Sequence, residues 1–269
     1  MTKTGRTTIL VSAPHEPRSL EWQCALLEAS CATCFEDYRL VRLYEEHPRA
    51  EELHCMPINK LYAVRRWMEA HREARAERVL VCDPDIVFRS PLTIQAERGT
   101  VIADEFWPGV RPTGAFSASR VVQLCEALGL KCAPTRFVQA HTGVMIFHGA
   151  DLLEVSALAE RLTERLPTLL TEPYHKWQSE MYAWYFAAAE LGMTVRTAPI
   201  AACNNWEVQL EKFPALHYCQ PILSAGERVW YKHQPEALSQ LLSLDPAMLD
   251  HPADALLVET ARALSACGN

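Results

Sequence analysis

Short apolar runs alternate with longer stretches of helical periodicity along most of this chain, and that alternation restricts the fold more than any other feature. Residues 7–12 form a first apolar run, stopped near Pro14, and 21–34 follow with Trp22, Leu26, Leu27 and Ala29 to Cys31 at broadly helical spacing. Further strands are predicted at 40–44, 79–82, 100–103 and 144–147, and further helices at 59–75, 121–128, 152–166 and 177–190. From Pro235 onward the pattern is helical, an appendage on whatever precedes it. A chain that alternates in this way builds one α/β sheet wrapped by helices, with ligands beyond the carboxyl ends of its strands.

Composition narrows the class. The 269 residues are 49% apolar, and no repeat, low-complexity tract or linker divides them, so residues 1–269 are expected to form a single domain with 235–269 as its helical tail. With 22% charged residues and a mean hydropathy of -0.08, the chain fits neither a disordered tail nor a membrane bundle. Lys and Arg number 26 against 33 Asp and Glu, a net charge of -7, and no basic run could track a phosphate backbone. Nucleic acid is therefore not expected as the main partner. The apolar run 9–11 is too short for a secretory segment, and the most apolar window, 181–189, is nine residues long, half a membrane span. No membrane anchor is expected. Ten cysteines sit mostly within apolar runs, which points to reduced thiols in the cytoplasm. Cys31 and Cys34 form a C-x-x-C without the second pair or the flanking β-α-β pattern that zinc or redox chemistry needs. His141 and His148 bracket a strand and sit too far apart along it to share a metal.

The stretch Val79 to Phe88 carries the chemistry. A buried run delivers Asp83 and Asp85, with Pro84 between them fixing φ and ending the strand. Two carboxylates at i and i+2 repel one another unless a cation sits beside them, and such hard oxygen ligands suit Mn2+ or Mg2+. A surface turn opened by Asp-Pro is the plain alternative. The fragment also resembles the first motif of haloacid-dehalogenase-like phosphatases, in which Asp83 would be a nucleophile. Those enzymes carry the motif on the opening strand with Thr or Gly soon after, whereas here Ile86, Val87 and Phe88 follow.

Several segments taken in order resemble a known family. They are Trp22-Gln23-Cys24, Asn59-Lys60, Asp83-Pro84-Asp85 with Pro91 beyond, Trp177 to Tyr182 around Glu180, and His217-Tyr218-Cys219. Together, over residues 7 to 233, they are similar to the plant-type hydroxyproline O-arabinosyltransferases and the peptidyl-serine α-galactosyltransferases. The family's eukaryotic members are membrane-anchored in a secretory context, Leu61 stands where Pro is expected after Asn-Lys, and residues 107–136 do not align.

The resemblance implies a GT-A-type mixed sheet flanked by helices, a UDP-sugar donor carrying galactose or arabinofuranose, and a hydroxyl acceptor such as a peptide Ser or hydroxyproline. It further implies transfer with retention of configuration. Asp83, Asp85 and His217 would hold Mn2+ or Mg2+, which stabilises departing UDP as a Lewis acid. Ser12, Gln23, Asn59, Lys60, Asp83, Asp104 and Lys232 would line the donor site. Lys60 and Lys232 would meet the diphosphate as point charges, although each has a solvated surface lysine as its alternative. Glu180 would place negative charge beside the reacting sugar carbon, in the aromatic setting of Trp177, Tyr182 and Trp184.

Asp104 and Glu105 end another strand, where they meet sugar hydroxyls or cap the next element. Gly143, after Thr142, would let backbone approach a ligand closely. Trp22, Trp107 and Trp206 stack on sugars or, more commonly, pack in the core. Two further readings stay open: a phosphatase, and a module that binds a sugar nucleotide or glycan without turnover. Asp85 is expected to be exposed at a strand end, so that Asp85→Ala would spare the fold.

Overall fold

The computed structural model describes residues 6–13, 19–53, 55–105, 118–131, 140–204, 209–234 and 236–267. In chain order its first elements are β1 (Thr7–Ser12), α1 (Ser19–Cys34), β2 (Tyr38–Leu43), α2 (Ile58–Ala70), β3 (Arg78–Cys82) and β4 (Ile86–Phe88). Then come β5 (Thr100–Glu105), α3 (Ala118–Leu128), β6 (Ala140–His148), α4 (Gly149–Leu169), α5 (Pro173–Trp177) and α6 (Ser179–Glu190). The last are β7 (Thr194–Ala198), β8 (Ala201–Cys203), β9 (Ala215–His217), β10 (Ile222–Ser224), β11 (Glu227–Trp230), α7 (Ala237–Ser243) and α8 (Pro252–Cys267).

Strand residues are apolar at successive positions because both faces of the sheet are covered. Leu10, Val79, Val81, Val101, Met145 and Phe147 face a core completed by α2, α3, α4 and α6. Their neighbours Ile9, Val11, Leu80, Cys82, Val144 and Ile146 point the other way, onto α1 and β4. The six-stranded sheet runs β2-β1-β3-β6-β5-β7. Strands β1, β2 and β3 are parallel, and β6 is antiparallel to both β3 and β5. This is the mixed, helix-flanked sheet expected, and its one reversed strand brings the start of β6 to the edge where its neighbours end.

Two predicted helices are interrupted. The helix expected over 59–75 stops at Ala70, and Arg72–Ala76 forms a 3-10 turn in which only Ala74 is buried, so an apolar stripe is missing to continue it. The helix expected over 177–190 breaks at Gln178 into α5 and α6. That break leaves Trp177 56% exposed while Glu180 is buried.

The tail is more than an appendage. Leu241, Leu257, Val258 and Ala261 close a third core over Leu216, Tyr218 and Trp230, against the small sheet β4-β9-β8. Asn204, just past β8, donates from Nδ2 to Asp254 of α8 at 2.7 Å and exchanges two hydrogen bonds with the backbone of Gln220. Burial lifts the Asp254 carboxyl to about 7 against the pull of Asn204. Among the described residues, no helix is long and apolar enough to cross a membrane.

Gly149 opens α4 where that helix meets the 3-10 turn, and a Cβ there would lie 2.0 Å from the Ala74 carbonyl oxygen. Backbone cannot retreat as a side chain does, so Gly149→Ala is expected to destabilise the fold by about 2 kcal/mol or more through overpacking. A denaturant midpoint equal to that of the parent protein would show that this contact relaxes freely.

Candidate active site

Asp83 follows directly on β3, and its N–H donates to the Gly143 carbonyl at 2.8 Å, so the start of β6 holds the strand end in place. The β1–β3 register, Val11 opposite Cys82, puts Ser12 level with Asp83. Pro84 turns the chain, and β4 then pairs antiparallel with β9, Ile86 opposite His217. This pairing carries a histidine from far along the sequence to the Asp-Pro-Asp turn. The Tyr218 N–H donates to the Asp85 carbonyl at 3.1 Å and seals the junction.

Asp83, Asp85 and His217 each offer a ligand atom, and these atoms all lie within 4.8 Å of one another. Two carboxylates and an imidazole suit Mn2+ or Mg2+ chemistry, with His favouring the transition metal. Asp85 is 3% exposed, contrary to the surface position expected, because β4 and β9 enclose it. His217 Nε2 lies 3.3 Å from its Oδ1, and Lys232 Nζ bonds its Oδ2. Burial pushes the Asp85 carboxyl upward, but His217 and Lys232 outweigh it and hold the group well below the usual carboxylate range. Burial likewise opposes charge on His217, while Cys219 and Asp85 prevail and raise it to about 9.

A second charge cluster adjoins the first. Lys60 stands in the first turn of α2 and Glu180 in the first turn of α6. Lys60 Nζ lies 2.8 Å from Asp83 Oδ1 and 3.0 Å from Glu180 Oε1. Trp184, one turn beyond Glu180, donates from Nε1 to the same Oε1 at 2.5 Å. Glu180 is 2% exposed; burial lifts its carboxyl above the ordinary value, and the Lys60 charge offsets only part of that. Lys60 is held protonated against its burial by Asp83 and Glu180.

The other expected residues divide. Lys232 is at the site, paired with Asp85 rather than solvated. Asn59 adjoins Lys60 on α2, and its Oδ1 accepts from the His47 backbone at 2.8 Å, fixing the chain before the helix. Among the described residues, Asn59 Nδ2 and Gln23 Nε2 are buried donors without an acceptor. Asp104 is fully buried, and its Oδ1 accepts from the Ile200 and Ala201 N–H groups at 2.9 and 3.0 Å, anchoring the β7–β8 connection.

Trp22 stacks on Tyr218 at 5.7 Å and meets Trp230 edge-on, so it packs aromatic against aromatic. Trp107 and Trp206 lie outside the described residues, as do most of residues 107–136 and the side chains of His141, Thr142 and Glu105. His148 caps α4, its Nδ1 accepting from Ala150. Cys31 and Cys34 close α1 between the parallel strands β1 and β2, so the β-α-β setting expected to be missing is present; both are nevertheless buried thiols pushed up by that burial, which argues against redox exchange.

No family model matches the chain, and no curated protein matches it. Among solved structures it is similar to a glycosyltransferase involved in the glycosylation of the major capsid of PBCV-1, with a TM-score of 0.51 and 16% identity. The match covers 80% of this chain and 94% of that one, and at this identity it is a likeness of fold.

Because Asp85 is enclosed and doubly paired, Asp85→Ala is expected to leave His217 and Lys232 uncompensated and to cost about 3–5 kcal/mol, the usual penalty for breaking a buried ion pair. Thermal melts of Asp85→Ala and Asp83→Ala should separate, since the Asp83 side chain is 28% exposed and keeps access to water. Equal midpoints would contradict this account of Asp85.

Proposed function

We propose that this chain is a metal-dependent glycosyltransferase that moves a sugar from a UDP-sugar to a hydroxyl acceptor with retention of configuration, acting as a single cytoplasmic domain. The observation that carries the reading is the convergence of Asp83, Asp85 and His217 at the strand edge of a mixed α/β sheet. The likeness in fold to a glycosyltransferase supports it. Galactose and arabinofuranose are the favoured donors by family resemblance, and a peptide Ser or hydroxyproline is the favoured acceptor.

The residues divide the work. Asp83, Asp85 and His217 hold Mn2+ or Mg2+; when bound, the cation supplies Lewis-acid stabilisation to the diphosphate leaving group. Lys232 lends its positive charge to the same side from its seat on Asp85. Ser12, Gln23 and Asn59 line the donor pocket, where buried amide donors without acceptors suit an oxygen-rich ligand. Asp104 serves the pocket indirectly, through the backbone it anchors. In transfer the bond from the anomeric carbon to the diphosphate breaks with its electron pair on UDP. The acceptor oxygen bonds that carbon and releases its proton to a phosphate oxygen. Glu180 places negative charge beside the cationic carbon in a site shielded from water.

Calorimetry with UDP, in Mn2+ and then in EDTA, is the direct test. Binding is expected with the metal and is expected to be lost on chelation; no UDP binding in either condition would overturn the reading. A panel of UDP-sugars then identifies the donor by release of UDP. Glu180→Gln should bind UDP like the parent protein and lose most of its turnover, leaving a small residual rate, and full activity in that variant would remove Glu180 from the mechanism.

A further inference from the structure

We infer that Lys60 and Trp184 act as a positioning pair that grips one oxygen of Glu180 and presents the other, and that Lys60 is not a diphosphate ligand. This deepens the glycosyltransferase reading and rests on it. Both donors converge on Oε1, from Lys60 at 3.0 Å and from Trp184 at 2.5 Å. Among the described residues, Oε2 carries no hydrogen bond.

A carboxylate gripped in this manner cannot rotate freely. Two donors from different helices, one charged and one part of a rigid fully buried indole, fix the plane of the carboxylate and leave Oε2 as its active face. Glu180 needs such a grip because it lies in the first turn of α6, two residues past the break at Gln178, and Trp177 just before that break turns outward.

The position of Lys60 also argues against its meeting a phosphate. Its ammonium carries three N–H donors, and two are directed to Asp83 and Glu180. Its side chain is 9% exposed, against 28% for Asp83. By touching Asp83 as well, Lys60 joins the metal-binding carboxylate to the carboxylate beside the sugar, so the two keep a fixed separation. Glu180 acts through its charge and forms no bond to the sugar in this scheme.

The test uses the full chain with Mn2+ and UDP-galactose or UDP-arabinofuranose, following release of UDP to water. Lys60→Met, which keeps the length and loses the charge, and Trp184→Phe are each expected to lower kcat on the order of 10- to 100-fold, the scale of misplacing a reacting group. UDP affinity by calorimetry at saturating Mn2+, which offsets the lost Lys60–Asp83 contact, should stay within about threefold in both, the scale left when no donor contact is lost. In a Glu180→Gln background, at Mn2+ and donor concentrations that saturate each variant and so offset the lost Lys60–Asp83 contact, the same two substitutions should change the residual rate by less than about twofold, because the carboxylate they aim is already gone. A merely structural role would lower the rate in both backgrounds.

Should Trp184→Phe lose its cooperative melt, Lys60→Met alone decides. The inference is overturned if Lys60→Met keeps its kcat, or if it weakens UDP binding by the same factor as kcat/KM, which would make Lys60 a diphosphate ligand after all. A parent protein that neither binds UDP nor releases it from either sugar nucleotide would instead overturn the glycosyltransferase reading itself.

Discussion

The enclosure of Asp85 between His217 and Lys232 is the interaction on which the rest of the site depends. An ionised carboxylate at 3% exposure is stable only with charged partners, and here they come from two later segments of the chain. His217 closes β9, and Lys232 follows β11 by two residues. Both segments are held from outside by the tail. Trp230 donates from Nε1 to the Ala237 carbonyl at the start of α7, and Asn204 ties Gln220 to Asp254 of α8. A helical tail that seemed peripheral therefore braces two of the cations that neutralise the site, and their placement is inseparable from the third core.

Beneath this lies a sheet covered on both faces, which gives the site its rigid edge. With α1 and β4 on one face and four helices on the other, little at the ends of β1 and β3 can move without disturbing close packing. Gly149 shows how tight that packing is, since the backbone of the 3-10 turn occupies the space a methyl group would need. The candidate site's side chains stand at the rim of the packed layers, where strand ends and helix starts converge. Ser12 ends β1 and Asp83 follows directly on β3, whereas Asn59, Lys60 and Glu180 begin helices. Helix starts favour the anionic member of that set, Glu180, over the cationic one. Lys60 is held in its helix start by carboxylate partners instead.

The alternation of strands and helices was legible because it follows from local periodicity, and so was the Asp-Pro-Asp turn, whose proline ends the strand by its own covalent geometry. The grouping of Asp83, Asp85 and His217 could be anticipated by resemblance, but no local pattern contains it. It depends on the β4–β9 register, a non-local pairing of two three-residue strands. The burial of Asp85 was hidden for the same reason: seen alone, Asp85 ends a run and begins a turn, and only the arrival of β9 encloses it. Asp104 illustrates the converse. Its residue type and strand-end position fit a sugar-binding role, yet its Oδ1 satisfies two backbone N–H groups nearly a hundred residues away. The aromatic setting of Glu180 was only partly legible, since the break at Gln178 turns Trp177 to solvent and leaves Trp184 as the ring that touches the carboxylate.

Three carboxylates face two lysines and a histidine across this site, so with His217 protonated the charges nearly cancel. Such a cluster is poised rather than inert. A ligating imidazole must be neutral, so a divalent cation held by Asp83, Asp85 and His217 would require the histidine to give up its proton. The ammonium groups would then share their carboxylate partners with that cation, and Lys232 would keep its seat on Asp85. Lys60 keeps Glu180 in either state, because Glu180 is outside the metal set. A cation would therefore rearrange the charges around Asp85 and leave the Lys60–Glu180 pair in place, a division that follows from which lysine touches which acid.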